Sequence, residues 1–199
     1  MASLCVKCQK FIPEGIGALC FDCSAKPTLA SDKVPAAPLK LDLCCSSRKP
    51  EGFFGIDLFK FPCVDLIHDL NKGIPVPDNS CSEIRAHDAV EHMTDGMVIM
   101  KEIWRVSVDG ALVDILVPST DGRGAWQDLT HKSYWNQNSF GYWCNSAPWV
   151  DYYRGPCLFN PIEWYTTPMS DDQVCKVVFK ATVIKNAEWL KTFNDRKIF

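Results

Sequence analysis

Apolar residues in this chain fall into short runs separated by polar turns. Leu39 to Leu43 is one run, interrupted by Lys40 and Asp42, and Phe53 to Ile56 is a second that ends in Asp57. Runs of this length, rich in branched and aromatic residues and bounded by turn residues, predict strands. Candidate strands are residues 39–43, 54–58, 65–68, 83–86 and 111–117. One stretch has helical spacing instead: Val90, Met93, Met97, Met100 and Trp104 recur at three- and four-residue intervals. Thr94 is placed to cap that helix, which is predicted over residues 95–106, with its methionine stripe against the sheet. Two further β-rich runs, residues 162–167 and 174–184, flank a turn at Met169-Ser170-Asp171-Asp172 and predict a terminal hairpin. Residues 186–199 give no clear pattern.

The connections between the early strands are short. Ten residues separate the first two predicted strands and six the next two, whereas a parallel crossover usually takes about a dozen or more. A strand, a polar loop, a second strand and an acid follow in order from Leu39 to Asp57. That is the order of a nucleotide-binding edge of an α/β sheet. There the ligand lies beyond the carboxyl ends of the strands, and the acid accepts hydrogen bonds from ribose hydroxyls.

Composition adds two constraints. Of 199 residues, 47% are hydrophobic and 23% charged, enough for one globular core with a small appendage. The net charge of −3 argues against broad coating of nucleic acid, which needs a basic stripe. The first residues hold no long apolar run, and no run approaches the roughly 20 residues that span a bilayer. A cytoplasmic protein without membrane contact is expected.

The eleven cysteines are therefore read in a reducing compartment. Cys5-x2-Cys8 and Cys20-x2-Cys23 are two CxxC knuckles, and four thiolates close a tetrahedral site for structural Zn²⁺. Residues 1–26 form this module, whose fold depends on the metal and whose uses are docking to a partner, to nucleic acid or to its own chain. Residues 27–38 hold three prolines among small residues and form a linker. The main domain is residues 39–199. Within it, residues 119–165 are loop-rich and carry all five tyrosines and five of the seven tryptophans. Those aromatics either stack on a substrate or make a second core under the loops.

The order of motifs in the main domain resembles class I S-adenosyl-L-methionine (SAM)-dependent methyltransferases. It is closest to a compact methyltransferase type 11-like subgroup of uncharacterised phage and microbial proteins, whose location would be the host cytoplasm if the chain is viral. The matching pieces are Leu41-Asp42-Leu43-Cys44-Cys45-Ser46, Glu51-Gly52-Phe53-Phe54-Gly55-Ile56-Asp57, Val64-Asp65-Leu66-Ile67-His68-Asp69-Leu70 and Pro77-Asp78-Asn79-Ser80. They continue with Ala89-Val90-Glu91-His92, Lys101-Glu102-Ile103-Trp104-Arg105-Val106, Val117-Pro118 and Gln127-Asp128-Leu129-Thr130-His131. The resemblance spans about residues 39–185. It implies a trimmed, mostly parallel Rossmann-like sheet with a C-terminal antiparallel hairpin, with helices missing or reduced to turns on one face.

It also implies a set of roles. Asp42, Leu43 and the loop Cys44, Cys45, Ser46 would hold the methionine part of SAM, and Asp57 with Leu58 the ribose. Asp69 and Leu70 would hold the adenine, and His87 and Asp88 would line the pocket where the methyl donor sits. Asp128 and His131 would be a catalytic pair, His131 as general base and Asp128 as its orienter. Their bland alternative is to tie the loop down. The family's two motif glycines are replaced by Cys44 and Ser46. Glycine serves there because it takes φ > 0 and lets backbone N–H groups approach the ligand. Two further readings therefore stand beside a methyltransferase of unidentified acceptor: a catalytically inactive adaptor acting through its zinc module, and a nucleic-acid methyltransferase.

Overall fold

The computed structural model describes residues 38–144 and 148–195, together with the backbone pairing of Ser3–Leu4 (β1) with Phe11–Ile12 (β2). Cys5, Cys8, Cys20 and Cys23, and the linker up to residue 37, lie outside the described residues.

The main sheet contains Leu39–Leu43 (β3), Phe54–Asp57 (β4), Leu66–Ile67 (β5), Cys81–His87 (β6), Ser107–Pro118 (β7), Leu158–Thr166 (β8) and Lys176–Ile184 (β9). Its order is β5-β4-β3-β6-β7-β9-β8. The first five strands are parallel, and β9 runs antiparallel to both β7 and β8. The predicted mostly parallel sheet with a terminal antiparallel hairpin is the observed one.

The chain builds outward from β3 in one direction through β4 and β5, then returns to the other side of β3 with β6. Such a reversal opens a crevice beyond the carboxyl ends of the two strands, here after Leu43 and His87.

One face of the sheet is apolar. Leu41, Ile84, Val113, Ile115, Val177 and Phe179 are fully buried, and they share a core with Met100, Ile103 and Val106 of the helix Gly96–Val106 (α1). The methionine stripe thus faces inward. The opposite face carries paired charges: Lys40–Glu83 at 2.8 Å, Arg85–Asp42 at 2.8 Å and Lys180–Glu163 at 3.1 Å. The β3–β4 and β4–β5 connections contain no helix among the described residues, as their lengths predict.

Details differ from the sequence reading at several places. The cap of α1 is Asp95, whose carboxylate accepts from Met97 N at 2.8 Å and Val98 N at 3.1 Å. Thr94 instead bonds Asn71 Oδ1 through its backbone N–H and its hydroxyl. β7 is longer than predicted. Its register moves from Cys81↔Ser107 to Glu83↔Leu112, so residues 108–111 bulge, with Gly110 at φ 75.

Residues 119–165 are not only loop. They contain Gly124–Gln127 (α2), Gln137–Cys144 (α3) and Pro148–Arg154 (α4). A terminal helix, Ala187–Asp195 (α5), follows β9 and docks by Trp189 Nε1 on Pro156 O at 2.8 Å. The aromatics divide between a second core and the surface. Trp135, Phe140 and Trp143 are buried, with Phe140 stacked between Trp135 (5.2 Å) and Phe179 (4.5 Å). Trp126, Tyr134, Trp149, Tyr152 and Tyr153 are exposed. No helix among the described residues is long and apolar enough to cross a membrane.

Candidate functional site

The crevice begins where β3 ends. Cys44 has φ 55 and Ser46 φ 49, so both stand in the left-handed region at the positions of the motif glycines. An L-residue pays roughly 1–2 kcal/mol for that conformation, so the surroundings must hold it. Asp57 does so from the end of β4. Its Oδ2 accepts from Ser46 N and its Oδ1 from Phe59 N, both at 2.9 Å, and it is only 6% exposed. Each carboxylate oxygen keeps a second lone pair.

The cysteines of the loop pack. Cys45 is buried, and a side-chain carbon on Gly55 would meet its sulfur at 2.6 Å, so β4 needs glycine there. Cys44 is half-buried against the core. Burial first, then the charges of Asp57 and Glu91, pushes the Cys44 thiol up to about 12, and burial pushes Cys45 to about 12. Neither is a thiolate at neutral pH, so neither is a ready nucleophile.

The other predicted residues divide by which way they face. Leu43 is in the core and presents only backbone to the crevice. Asp42 is fully buried and bonded to Arg85, and burial raises its pKa. His87 turns to the charged face, its Nε2 3.1 Å from Asp114 Oδ1 without hydrogen-bond alignment. Leu58 is half-exposed beyond Asp57. Asp69 caps the short turn Leu70–Lys72 by accepting from Asn71 N and Nδ2, bonds that hold its carboxyl below the usual range, while Leu70 is buried beneath it.

Asp88 closes the edge of β6. It too has positive φ (51), and both its oxygens take Lys176 Nζ, at 2.6 and 2.8 Å, while Arg48 from the β3–β4 loop approaches to 3.9 Å. Three strained non-glycine residues, Cys44, Ser46 and Asp88, thus lie at one crevice. Clustering of this kind marks sites where the backbone is held for a purpose.

The short turn Val90–His92 comes next, and residues 128–133 are fastened to it. Lys132 N and Ser133 N donate to Glu91 O at 2.7 and 3.0 Å, and Ser133 Oγ donates to Val90 O at 2.9 Å. This brings His131 and Asp128 to Glu91 and His92. His131 is buried, its Nδ1 is 2.8 Å from Ala125 O, and its Nε2 is 3.8 Å from Asp128 Oδ2. Asp128 accepts from Thr130 N and Oγ1, and those bonds hold its carboxyl low.

Glu91 and Lys176 were missed as site residues from sequence. Glu91 is 2% exposed, neither of its oxygens has a hydrogen-bond partner, and burial pushes its carboxyl up to about 7. Its sequence signals are its place in the matching piece Ala89-Val90-Glu91-His92 and a carboxylate set among Ala89, Val90 and Met93. An open cleft of about 910 Å³ lies at the β5 edge, lined by residues 60–62 and 64–67, and includes none of the predicted site residues.

No family model and no curated protein matches the sequence. Solved structures do match the fold. The [4+2]-cyclase SpnF is 12% identical with a TM-score of 0.53, covering 77% of this chain and 78% of that one. The 1,6-didemethyltoxoflavin-N1-methyltransferase of Burkholderia thailandensis, solved with 1,6-didemethyltoxoflavin and S-adenosylhomocysteine, is 12% identical with a TM-score of 0.50, covering 75% and 72%. The YcgJ protein of Bacillus subtilis is 12% identical with a TM-score of 0.50, covering 78% and 96%. A cyclase and a methyltransferase both stand among these matches, and fold does not imply function. What the strand order and these likenesses establish together is the fold: a Rossmann-like sheet of the class I methyltransferase type.

Proposed function

We propose that the protein binds SAM at the β3–β6 crevice and transfers its methyl group to an acceptor. The observation that carries this is the backbone at Cys44 and Ser46. Both residues hold the left-handed conformation for which the family uses glycine, and Asp57 fixes the second of them. Cys44 packs its side chain on the core, Cys45 N donates to Ile56 O and Ser46 N to Asp57 Oδ2, so the turn is held in the shape the family's loop takes without side chains crowding the crevice. The backbone shape of the loop, and the acid at the end of β4, fit the cofactor on that account.

The sulfonium of bound SAM supplies the electrophilic methyl group. This chain's residues position the two reactants, which is most of what such a transfer needs. The loop Cys44-Cys45-Ser46 and the backbone of Leu43 and His87 receive the methionine part. Asp57 accepts from the ribose hydroxyls with its remaining lone pairs. Asp69 accepts from the adenine amine, with Leu70 as an apolar wall. Ala125 O accepts from His131 Nδ1 and so orients the ring, which leaves Nε2 as a proton acceptor for the methyl acceptor, with Asp128 Oδ2 3.8 Å from it. The stacked pair Trp126–Tyr134, with centroids 4.5 Å apart and both rings exposed, is a platform for a flat acceptor. Cys5, Cys8, Cys20 and Cys23 hold a structural Zn²⁺ in a module that docks a protein partner.

One observation favours a second reading, an inactive adaptor: Asp57 is buried and both its oxygens are already engaged. Calorimetric titration with SAM and with S-adenosylhomocysteine decides. Micromolar binding that Asp57→Asn weakens supports the methyltransferase. No binding at millimolar ligand by the folded protein overturns it.

A further inference from the structure

We propose that Glu91, His92 and His131 form a binding site for a first-row divalent metal ion at the edge of the crevice. One ligand atom from each of the three lies within 4.8 Å of the others. This site stands on its own geometry and does not depend on SAM binding.

The tautomers follow from the hydrogen bonds. Thr130 Oγ1 gives its only proton to Asp128 Oδ1 at 2.7 Å, so it can only accept from His92 Nδ1, 3.2 Å away. Ala125 O can only accept from His131 Nδ1. Both imidazoles therefore carry hydrogen on Nδ1 and a lone pair on Nε2. Metal-binding histidines are oriented in the same manner, their second nitrogen held by a carbonyl or other oxygen acceptor.

Glu91 supplies the charge. It is 2% exposed and neither oxygen has a partner, an arrangement that is costly unless a proton or a cation neutralises it. The ligands come from two segments 40 residues apart, held together by Lys132 N, Ser133 N and Ser133 Oγ, so the constellation is built into the fold. Asp128 Oδ2, 3.8 Å from His131 Nε2, stands as an outer carboxylate.

Two imidazoles and one carboxylate suit Mn²⁺, Fe²⁺, Co²⁺, Ni²⁺ or Zn²⁺ better than Mg²⁺ or Ca²⁺. Three protein ligands leave positions open for water or for an oxygen of a bound molecule. Glu91 follows Asp88 by three residues beyond the carboxyl end of β6, so the site stands at the predicted methyl-donor edge. The ligand class at the open positions is a hydroxyl-bearing acceptor, whose proton a bound cation makes easier to lose. With the cation bound, the His131 Nε2 lone pair is a ligand and is no longer the base of the proposed transfer, and the hydroxyl's proton leaves to water.

Mn²⁺ is the probe, because it ignores the thiolates of the N-terminal module. The full chain, purified with that module zinc-filled, is titrated while the free-ion signal is followed by electron paramagnetic resonance. Thermal unfolding is recorded in parallel. Expected is one bound Mn²⁺ per chain and a raised melting temperature. The affinity for Mn²⁺ should fall at least about tenfold, and the rise in melting temperature shrink with it, in Glu91→Gln, which keeps the shape of the side chain, and in His92→Gln, at a partly exposed position. Circular dichroism checks that each variant is folded. Absence of saturable Mn²⁺ and Co²⁺ binding at millimolar concentration overturns the proposal. So does wild-type affinity in the folded Glu91→Gln or His92→Gln protein.

Discussion

Replacing Glu91 with Gln should stabilise the metal-free protein, and only above mildly acidic pH. An ordinary glutamate loses its proton near 4.5, and burial holds that of Glu91 until about 7. Each tenfold change in proton affinity is worth about 1.4 kcal/mol. The shift therefore corresponds to about 3 kcal/mol between the two protonation states. The sign follows from proton counting. Between the two values the folded chain holds a proton that the unfolded chain has released, so raising the pH favours unfolding. The penalty is absent below the unfolded value and complete above the folded one.

Glu91→Gln removes the ionisation and keeps the volume, so its stability should not share this fall. The variant should gain about 3 kcal/mol on wild type between about pH 4 and about pH 8. Urea denaturation followed by circular dichroism measures this, in buffer stripped of divalent ions, since a bound cation would hide the penalty. A gap between the two proteins that stays constant with pH refutes the reasoning. Glu91 would then have a partner or solvent when charged.

Arg105→Ala should destabilise the fold by about 3–5 kcal/mol in the same denaturation assay. The guanidinium holds Glu102 through Nε and Nη2, both at 2.6 Å, and bonds Asp78, Ile74 O and Val76 O, so its loss strands a buried Glu102. Phe140→Ala, which empties the stack between Trp135 and Phe179, should cost about 3–5 kcal/mol, read from the urea midpoint. Ser46→Gly should stabilise by up to about 1 kcal/mol, since relief of a left-handed residue outweighs glycine's greater freedom when unfolded. A loss of stability there would mean that the serine side chain supports the loop.

The parallel half of the sheet was legible because its strands are apolar runs bounded by turn residues, and because the short gaps left no room for helices. The helix α1 was legible from its stripe, but its cap was misplaced by one residue. Thr94 and Asp95 are both good caps, and only the neighbour Asn71 shows why the threonine is engaged elsewhere. The helices of residues 119–165 were not legible. α3 reads Gln-Asn-Ser-Phe-Gly-Tyr-Trp-Cys, poor in helix formers, and burial of Phe140 and Trp143 stabilises it. α5 carries a short apolar stripe, Trp189, Leu190 and Phe193, but it buries no residue and spans only nine residues among polar ones.

In the candidate site, Asp57, Asp69, Asp128 and His131 were singled out from motif and position. The orphaned carboxylate of Glu91 was not, because being unpartnered is a property of the surroundings. Those surroundings include a segment 40 residues away.

The antiparallel course of β9 sets the order in which this crevice becomes complete during synthesis. Because β9 runs against β7, its first residue, Lys176, pairs with Pro118 at the rim and reaches back to Asp88 across 88 residues of chain. Every other element of the rim is synthesised before that lysine. The nascent protein thus carries the acidic edge without its cation until the last hairpin closes. Such long-range closure is a slow step in folding, so the β3–β6 crevice should be the last part of the main domain to acquire its final electrostatic form.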